Sequence, residues 1–331
     1  MGRRFDVYGV GHALVDIQYK VDVETLQQLG IEKGVMTLID AQRQQALFAQ
    51  LEQTPIASAS GGSAANTMIG VAQFGGSPFY ACLTGRDEWG NFYQNDLEKA
   101  GVATDPTHRT EGTTGQCVVF ITPDADRTLN TFLGVSSAID TEQLDPKTIA
   151  DSQFVYLEGY LLSTDNGFAS CLQAQQFAQE AGTSVALTLS DPFMVTTFKE
   201  RFSQLVERGI DLLFCNEDEA GAFTGFNTRE QALDHLGQQV PLVCVTCGPD
   251  GALVRQTDRT TTIPGVPVTA VDTNGAGDLF AGGFLYGITH GFDVESAGKM
   301  GSFAAAQVVS QYGPRLQSTL ATVDDILAHF D

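Results

Sequence analysis

Apolar and polar stretches alternate along this chain in a way that predicts strands followed by helices. A buried first strand is predicted over 5–11, and the second half of the chain is more regular. There, apolar runs with the length of buried strands occur at 153–158, 184–189, 211–215 and 242–247. Stretches with a helical pattern alternate with these runs. This alternation is typical of a parallel sheet with helices on both faces, so we predict an α/β fold over residues 1–331.

The stretch 112–135 has a different pattern. Two apolar runs, 116–122 and 127–133, flank the turn residues of 123–126. Two strands around a short polar turn predict a β-hairpin. Because a hairpin interrupts the strand–helix alternation, we interpret this stretch as part of a small β-sheet that would cover a binding site.

The segment Asp272–Asp278 contains two glycines and an alanine, and an apolar run over 279–285 follows it. This composition predicts a tight turn that leads into the N-terminus of a buried helix. A helix start presents free N–H groups and a partial positive charge, which together bind anions. Asp278 would lie in the first helical turn. It would be either a helix cap or a base that deprotonates a hydroxyl attacking a bound phosphate.

Polar clusters also follow other predicted strands, at 190–192, 216–219 and 246–251. In parallel α/β sheets, ligands bind at the carboxyl ends of the strands. The acidic cluster Asn216–Glu219 has two interpretations. The helix macrodipole favours acidic residues at a helix N-terminus, and a carboxylate pair would also orient hydrated Mg²⁺ near the phosphates of a nucleotide.

Charge and composition restrict the partners. The net charge is −22 over 331 residues, and a chain this acidic repels nucleic acid and anionic membranes, so neither is expected as a partner. A phosphate site here would need Mg²⁺ and backbone dipoles. The chain shows neither a signal peptide nor an apolar run that would span a membrane, so a cytoplasmic protein is expected.

Several familiar sites are absent from the sequence. No G-x-x-x-x-G-K-[ST] motif occurs, and the start of a dinucleotide motif at Gly9-Val10-Gly11 has Leu14 in place of the last glycine. Cys244 and Cys247 are three apart in a predicted strand and would point to opposite faces. We therefore expect these cysteines to pack in the core and not to bind a metal.

Five motifs resemble, in the same order, those of the PfkB carbohydrate kinases, also called the ribokinase family. Asp272–Asp278 with Gly282-Gly283 resembles the C-terminal signature of that family. Gly61–Asn66 resembles the N-terminal signature, and Gly85–Gly90 resembles the G-x-D-x-x-G turn. Asn216–Glu219 resembles the N-E-x-E motif, and Thr246–Gly251 resembles the T-x-G-x-x-G segment.

The resemblance implies a ribokinase-like, three-layer α/β/α fold with a mostly parallel central sheet. It also implies a β-sheet lid formed by 12–38 and 112–135. The implied reaction moves the γ-phosphoryl group of ATP to a hydroxyl, usually a hydroxymethyl, of a sugar or nucleoside. Strings around Asp16 and over 189–193 resemble the nucleoside kinases of the family, which usually have Asn where this chain has His12. The acceptor therefore stays open between a nucleoside and a sugar such as fructose or ribose.

The same resemblance implies roles for single residues. Asp278 would be the base, and the N–H groups of Gly275, Ala276 and Gly277 would form the anion hole. The acceptor would be bound by Asp16, Gly62, Ser63 and Asn66, and Arg127 would contact the transferred phosphoryl group.

The resemblance also implies sites for the nucleotide and for metal ions. ATP would be bound by Asn216, Thr246, Gly248 and Gly251, and Glu219 would hold Mg²⁺ through water. A monovalent cation such as K⁺ would lie at Asp272 and the Asn274 carbonyl, with Gly313.

A second function is compatible with the same motifs. A kinase-like protein without catalysis would bind sugars or nucleotides as a regulator. Such a protein would be expected to have lost the base or the anion hole, whereas Asp278, Gly275 and Gly277 are all present. A monomer is expected, or a homodimer that pairs through an exposed edge of the lid.

Overall fold

The strands of the protein divide between a large sheet and a small sheet. The structure is a computed structural model that describes residues 2–51, 54–124, 126–317 and 320–330. In chain order the strands are β1 (Phe5–Val10), β2 (Leu14–Lys20), β3 (Met36–Leu38), β4 (Ala57–Gly61), β5 (Pro78–Ala81), β6 (Thr84–Gly85), β7 (Ala103–Thr104), β8 (Arg109–Thr110), β9 (Gly115–Ile121), β10 (Arg127–Phe132), β11 (Ser152–Leu157), β12 (Ser184–Thr188), β13 (Leu212–Asn216), β14 (Leu242–Thr246), β15 (Ala252–Gln256) and β16 (Arg259–Ile263).

Helices follow most of the parallel strands, as predicted. In chain order they are α1 (Val23–Gln28), α2 (Ala41–Gln50), α3 (Ser63–Gln73), α4 (Glu88–Lys99), α5 (Pro146–Ala150), α6 (Asp165–Ala181), α7 (Pro192–Thr197), α8 (Lys199–Glu207), α9 (Glu217–Thr224), α10 (Arg229–Leu236), α11 (Ala276–Thr289), α12 (Val294–Val309) and α13 (Val323–Ala328). Helices α7 and α8 are separated at Phe198, whose backbone leaves the helical region at φ −116° and ψ 28°.

The large sheet has nine strands in the order β16-β15-β14-β13-β12-β11-β1-β5-β7. All neighbouring pairs from β14 to β7 are parallel, and β15 and β16 are antiparallel additions at one edge. Strand order reverses at β1, which lies between β5 and β11. Ligands of open α/β sheets bind at such a switch point, beyond the carboxyl ends of the strands. In this protein the point lies just after Val10 and Leu157.

The two faces of the large sheet pack against different helices. Along β13, Leu213 belongs to a core with α6, α8 and α10, whereas Leu212 and Phe214 belong to a core with α3, α11 and α12. Successive strand residues point to opposite faces, so helices cover both sides of the sheet. The predicted three-layer α/β/α arrangement is therefore confirmed. The Cys244 and Cys247 side chains lie in these two separate cores, as expected for core packing.

The small sheet has five strands in the order β3-β10-β9-β2-β4. The hairpin of β9 and β10 is confirmed, with Asn130 opposite Val118. The predicted lid ranges 12–38 and 112–135 contain four of these strands but not β4, which pairs antiparallel with β2. None of the helices in the described residues has both the length and the hydrophobicity that a membrane span requires.

Candidate active site

Helix α11 begins without a side-chain cap. Its N-terminal residue is preceded by Gly275, whose φ of 80° is left-handed, and no side chain of the described residues caps the helix. The N–H of Ala276 makes a long 3.3 Å bond to the Thr273 carbonyl. A Cβ added to Gly277 would meet nothing within 4 Å, so open space lies beside this helix start. The helix start is therefore open on the side of Gly277, whereas Pro314 packs against Gly275.

The carboxylate of Asp278 lies in the first turn of α11 and is held by α3. It accepts hydrogen bonds from Ser63 Oγ at 2.7 Å and from Asn66 Nδ2 at 3.0 Å. Burial raises the pKa of Asp278 to about 6, and the two hydrogen bonds oppose this increase. The group is thus ionised at neutral pH but close enough to neutrality to accept a proton.

The start of α3 differs from that of α11 because a buried carboxylate occupies it. Gly62 adopts a φ of 99°, and a side chain there would collide with the His12 carbonyl. Glu158 accepts the Ala64 N–H at 2.9 Å and the His12 N–H at 3.4 Å. Burial raises the pKa of Glu158 to about 8. Sequence reasoning missed this residue, although its position directly after β11 was the available signal.

The His12 ring joins the end of β1 to the segment that follows the small sheet. Its Nδ1 lies 3.1 Å from the Ser136 carbonyl, while Nε2 has no hydrogen-bond partner among the described residues. Burial lowers the pKa of His12 to about 4. The ring is therefore neutral at pH 7, and Nδ1 carries the proton that it donates to Ser136.

Asp16 lies on β2 of the small sheet, within range of the charge of Asp278. Its carboxylate packs against Gly61, and no hydrogen bond from a described residue contributes to its ionisation. Burial raises the pKa of Asp16 to about 7, against the nearby charges of Arg315 and Arg127. A carboxylate with free lone pairs is suited to accept hydrogen bonds from the hydroxyls of a ligand.

Arg127, at the start of β10, forms an ion pair with Asp272, with Nη2 2.7 Å from Oδ2. Its Nε and Nη1 have no hydrogen-bond partner among the described residues, although the side chain is buried. Asp272 also accepts the N–H of Gly313 at 2.9 Å and the N–H of Asn274 at 3.0 Å. Asn274 thus contacts Asp272 through its N–H. A guanidinium already supplies the positive charge that a monovalent cation would bring, so the arrangement does not fit a K⁺ ion at this carboxylate.

Asn216 and Glu219 form a capping box at the start of α9. The Glu219 carboxylate accepts the Asn216 N–H at 3.0 Å and Nδ2 at 2.8 Å, and Asn216 Oδ1 accepts the Glu219 N–H at 2.8 Å. Burial raises the pKa of Glu219 to about 7, and the charges of Asp191 and Asp278 add to this increase. Glu219 therefore caps its helix and also lies near the proposed base.

Metal binding in this region would depend on water and on a ligand. In the part of the chain that the structure describes, no group of three His, Cys, Asp or Glu side chains is arranged to hold a metal ion. Mg²⁺ usually keeps several waters and binds through one or two carboxylates plus substrate phosphates. Each Glu219 oxygen accepts one hydrogen bond and retains a lone pair for a bound water, so the residues fit Mg²⁺ held in this way.

The T-x-G-x-x-G segment lies beside Asn216. Thr246 is its register partner on β14, and Gly248 follows with a φ of 54° and with no atom within 4 Å of an added Cβ. Gly251 is buried against Ile263 and has a φ of 94°, so it forms a tight turn and does not face open space. Open space therefore lies beside Gly248, while Gly251 shapes the segment.

Most of the predicted residues converge. Hydrogen bonds join Ser63 and Asn66 to Asp278, an ion pair joins Arg127 to Asp272, and the charges of Asp16 and Glu219 are within range of Asp278. Buried carboxylates, their hydrogen-bond donors and a helix start without a side-chain cap thus share one site. An arrangement of this kind suits phosphoryl transfer to an alcohol.

Comparison with known proteins agrees with this arrangement. The sequence profile described as pfkB family carbohydrate kinase matches residues 35–320. The adenosine kinase of Saccharomyces cerevisiae is 29% identical over 330 residues, which cover 93% of this chain and 96% of that protein.

Two solved structures superpose over nearly all of the chain. The adenosine kinase from Sinorhizobium meliloti is 33% identical, with a TM-score of 0.90 and coverage of 99% of this chain and 100% of that one. A probable sugar kinase from Rhizobium etli is also 33% identical, with a TM-score of 0.90 and coverage of 99% of both chains. This protein belongs to the pfkB family of carbohydrate kinases and is a kinase of a sugar or nucleoside.

Proposed function

We propose that this kinase moves the γ-phosphoryl group of ATP to the hydroxymethyl group of a nucleoside, with adenosine as the first candidate and Asp278 as the base. The observation that carries the proposal is the position of the Asp278 carboxylate. It lies in the first turn of an uncapped helix and is aimed by Ser63 and Asn66 from α3. The full-length similarity to two proteins named adenosine kinase supports the nucleoside acceptor.

The proposed reaction breaks two bonds and forms two. The acceptor O–H bond breaks and its proton passes to the Asp278 carboxylate, while the acceptor oxygen forms a bond to the γ-phosphorus. The bond from that phosphorus to the bridging oxygen breaks, and its electron pair leaves with ADP. Free N–H groups at the start of α11, among them that of Gly277, would stabilise the charge on the transferred group.

Three further groups would assist. Arg127 has two donor nitrogens without a partner among the described residues, and these would contact the transferred phosphoryl group. Asp16 would accept hydrogen bonds from the acceptor hydroxyls. Glu219 and Asn216 would hold Mg²⁺ through water, and that ion would neutralise phosphate oxygens in a chain whose net charge is −22.

The test is an assay of ADP release from Mg²⁺-ATP with adenosine, inosine, fructose and ribose in parallel, with the product identified by mass spectrometry. We expect adenosine to give the highest kcat/KM. Turnover with fructose or ribose alone would make the protein a sugar kinase, the alternative that the Rhizobium etli neighbour favours. Absence of ADP release with every compound would instead favour a binding protein without catalysis.

A further inference from the structure

Three consecutive residues in the loop after α12 each contact a different part of the site. The N–H of Gly313 donates to Asp272 at 2.9 Å. Pro314 packs against the start of α11, since a Cβ on Gly275 would lie 2.7 Å from the Pro314 carbonyl oxygen. Arg315 reaches the small sheet. The loop therefore touches both the phosphate-binding turn and the sheet that carries Asp16.

The guanidinium of Arg315 is held by β4 and α4. Its Nη1 donates to Asp96 on α4 at 2.8 Å, and its Nη2 donates to Ser60 Oγ on β4. The Asp96 carboxylate also accepts the N–H and the hydroxyl of Ser60, both at 2.8 Å. The Arg315 side chain is only 16% exposed and that of Asp96 28%. This network fixes β4 at the residue immediately before Gly61.

Fixing β4 also fixes the carboxylate of Asp16. Asp16 lies opposite Ala59 in the β2–β4 pair, and its carboxylate packs on Gly61, where there is no room for a side chain. The hydroxyl of Tyr93 donates to the Gly61 carbonyl at 2.9 Å and ties the same point to α4. A shift of β4 would therefore displace the Asp16 oxygens directly.

Arg315 also sets the charge around Asp16. The charged and titratable groups that face Asp16 are Arg315 from the loop, Arg127 from β10, Asp278 from α11, Cys117 from β9 and Tyr93 from α4. Burial raises the pKa of Asp16, and among the neighbouring charges that of Arg315 opposes this increase most strongly, followed by Arg127. Loss of this cation would leave a carboxylate that protonates more readily.

We propose that Arg315 is a positioning residue for the acceptor: it holds β4, and with it the Asp16 carboxylate, in the geometry that binds acceptor hydroxyls. This inference rests on the acceptor-binding role proposed above for Asp16. It adds a residue from the C-terminal loop that neither the motifs nor their spacing indicated.

The experiment compares wild type with Arg315→Gln, Arg315→Lys and Asp96→Asn between pH 6 and 9. We expect Arg315→Gln to raise the KM for adenosine by about tenfold while the KM for ATP stays within about twofold. In the pH profile of kcat/KM for adenosine, the acid limb of this variant should lie at a higher pH than that of wild type, by roughly one unit. Arg315→Lys keeps the charge and should show a smaller shift. Asp96→Asn removes the anchor and keeps the cation, so it should raise KM without moving the limb.

Adenosine affinity is measured in parallel by calorimetry. Binding data then distinguish a failure of the proposed kinase function from a failure of the proposed role of Arg315. An Arg315→Gln protein with a lower melting temperature but an unchanged KM and pH profile would reduce Arg315 to a structural role and overturn the inference. Should that variant not fold, Arg315→Lys and Asp96→Asn decide by the same measurements. Wild type that binds adenosine without turnover would overturn the proposed function, and the calorimetric affinities of the variants would still decide on Arg315. Wild type that does not bind adenosine would overturn the proposed acceptor alone, and the variants would then be compared with the compound that the ADP-release assay identifies.

Discussion

The guanidinium of Arg127 lies 2.7 Å from the carboxylate of Asp272. One residue belongs to β10 of the small sheet, and the other precedes the turn into α11. Both are buried, with 8% and 6% of their surfaces exposed. This ion pair therefore joins the small sheet to the turn that leads into α11.

The same ion pair predicts how the enzyme responds to monovalent cations. Replacement of K⁺ by tetramethylammonium is expected to change kcat by less than about twofold, because Arg127 already compensates the charge of Asp272. In Arg127→Met the carboxylate loses this partner, and we expect K⁺ to stimulate the remaining activity several-fold. The measurement is the ratio of rates with and without K⁺, since the substitution also lowers the absolute rate. Arg229→Met, at an exposed ion pair, is the control, and strong K⁺ stimulation of wild type would contradict the prediction.

Removal of the proposed base should abolish turnover but not nucleotide binding. Asp278→Asn keeps an oxygen that can accept from Ser63, but the amide does not take up a proton, so we expect kcat to fall by about 10²- to 10⁴-fold. ATP affinity, measured by calorimetry, should stay within about threefold. Glu295→Gln changes an exposed carboxylate in the first turn of α12 and should have no effect. Full turnover by Asp278→Asn would end the assignment of the base.

The two glycines at the start of α11 should respond differently to substitution. Gly277→Ala meets no protein atom and replaces glycine by a better helix former, so stability should rise by about 0.5–1 kcal/mol. Its methyl group would enter the open space proposed for phosphate, and kcat/KM for ATP should fall at least about tenfold. Gly275→Ala forces a left-handed residue against Pro314 and should lower stability by about 1–3 kcal/mol. Thermal unfolding and kinetics on both variants check this, and an unaffected Gly277→Ala enzyme would argue against an anion site there.

The turn that leads into α11 could be predicted from the sequence because its pattern is local. Gly275 and Asp278 are three residues apart, and the helical period alone places the carboxylate in the first turn. Asn216 and Glu219 have the spacing of a capping box, which is also a local pattern. Sequence reasoning left the choice between cap and metal binding open at this box, and the structure shows that capping does take place.

Contacts between distant segments could not be predicted in this way. Glu158 bonds to Ala64, 94 positions away, and Arg315 bonds to Asp96, 219 positions away. No spacing rule relates such residues, since only the folded sheet brings them together. Strand β4 was missed for a similar reason. Its residues Ala57–Gly61 are small, with low strand propensity, and they form a strand because β2 lies beside them.

The hydrogen bond from Ser63 should set the acid limb of the reaction. Its hydroxyl donates to the ionised form of Asp278 and so opposes the rise in pKa that burial causes. Ser63→Ala removes this bond, and the pKa of Asp278 should then rise further. We expect the acid limb of kcat to move to higher pH by roughly 0.5–1 unit. Ser203→Ala on α8 is the control, and an unmoved limb in Ser63→Ala would show that another group controls it.

Burial of Glu158 predicts a stability that declines as the solution becomes alkaline. Its pKa is raised from 4.5 to about 8 in the folded protein, so between these values the folded state binds a proton that the unfolded state has lost. Folded protein is therefore favoured at the acidic end of this window, and the free energy of unfolding should fall by about 1.4 kcal/mol per pH unit for this group.

Burial of His12 changes the free energy of unfolding in the opposite direction, because the pKa of His12 is lowered to about 4 in the folded protein. This contribution ends near pH 6.5, the ordinary pKa of the group. Urea unfolding between pH 6.5 and 8 therefore isolates the carboxylates. Glu158→Gln stays neutral and keeps an oxygen for the Ala64 N–H, so its stability should decline less with pH than that of wild type. Asp16 and Glu219 leave a residual slope in both proteins, since the pKa of each is raised to about 7. Equal slopes for wild type and Glu158→Gln would mean that Glu158 is already ionised in the folded protein.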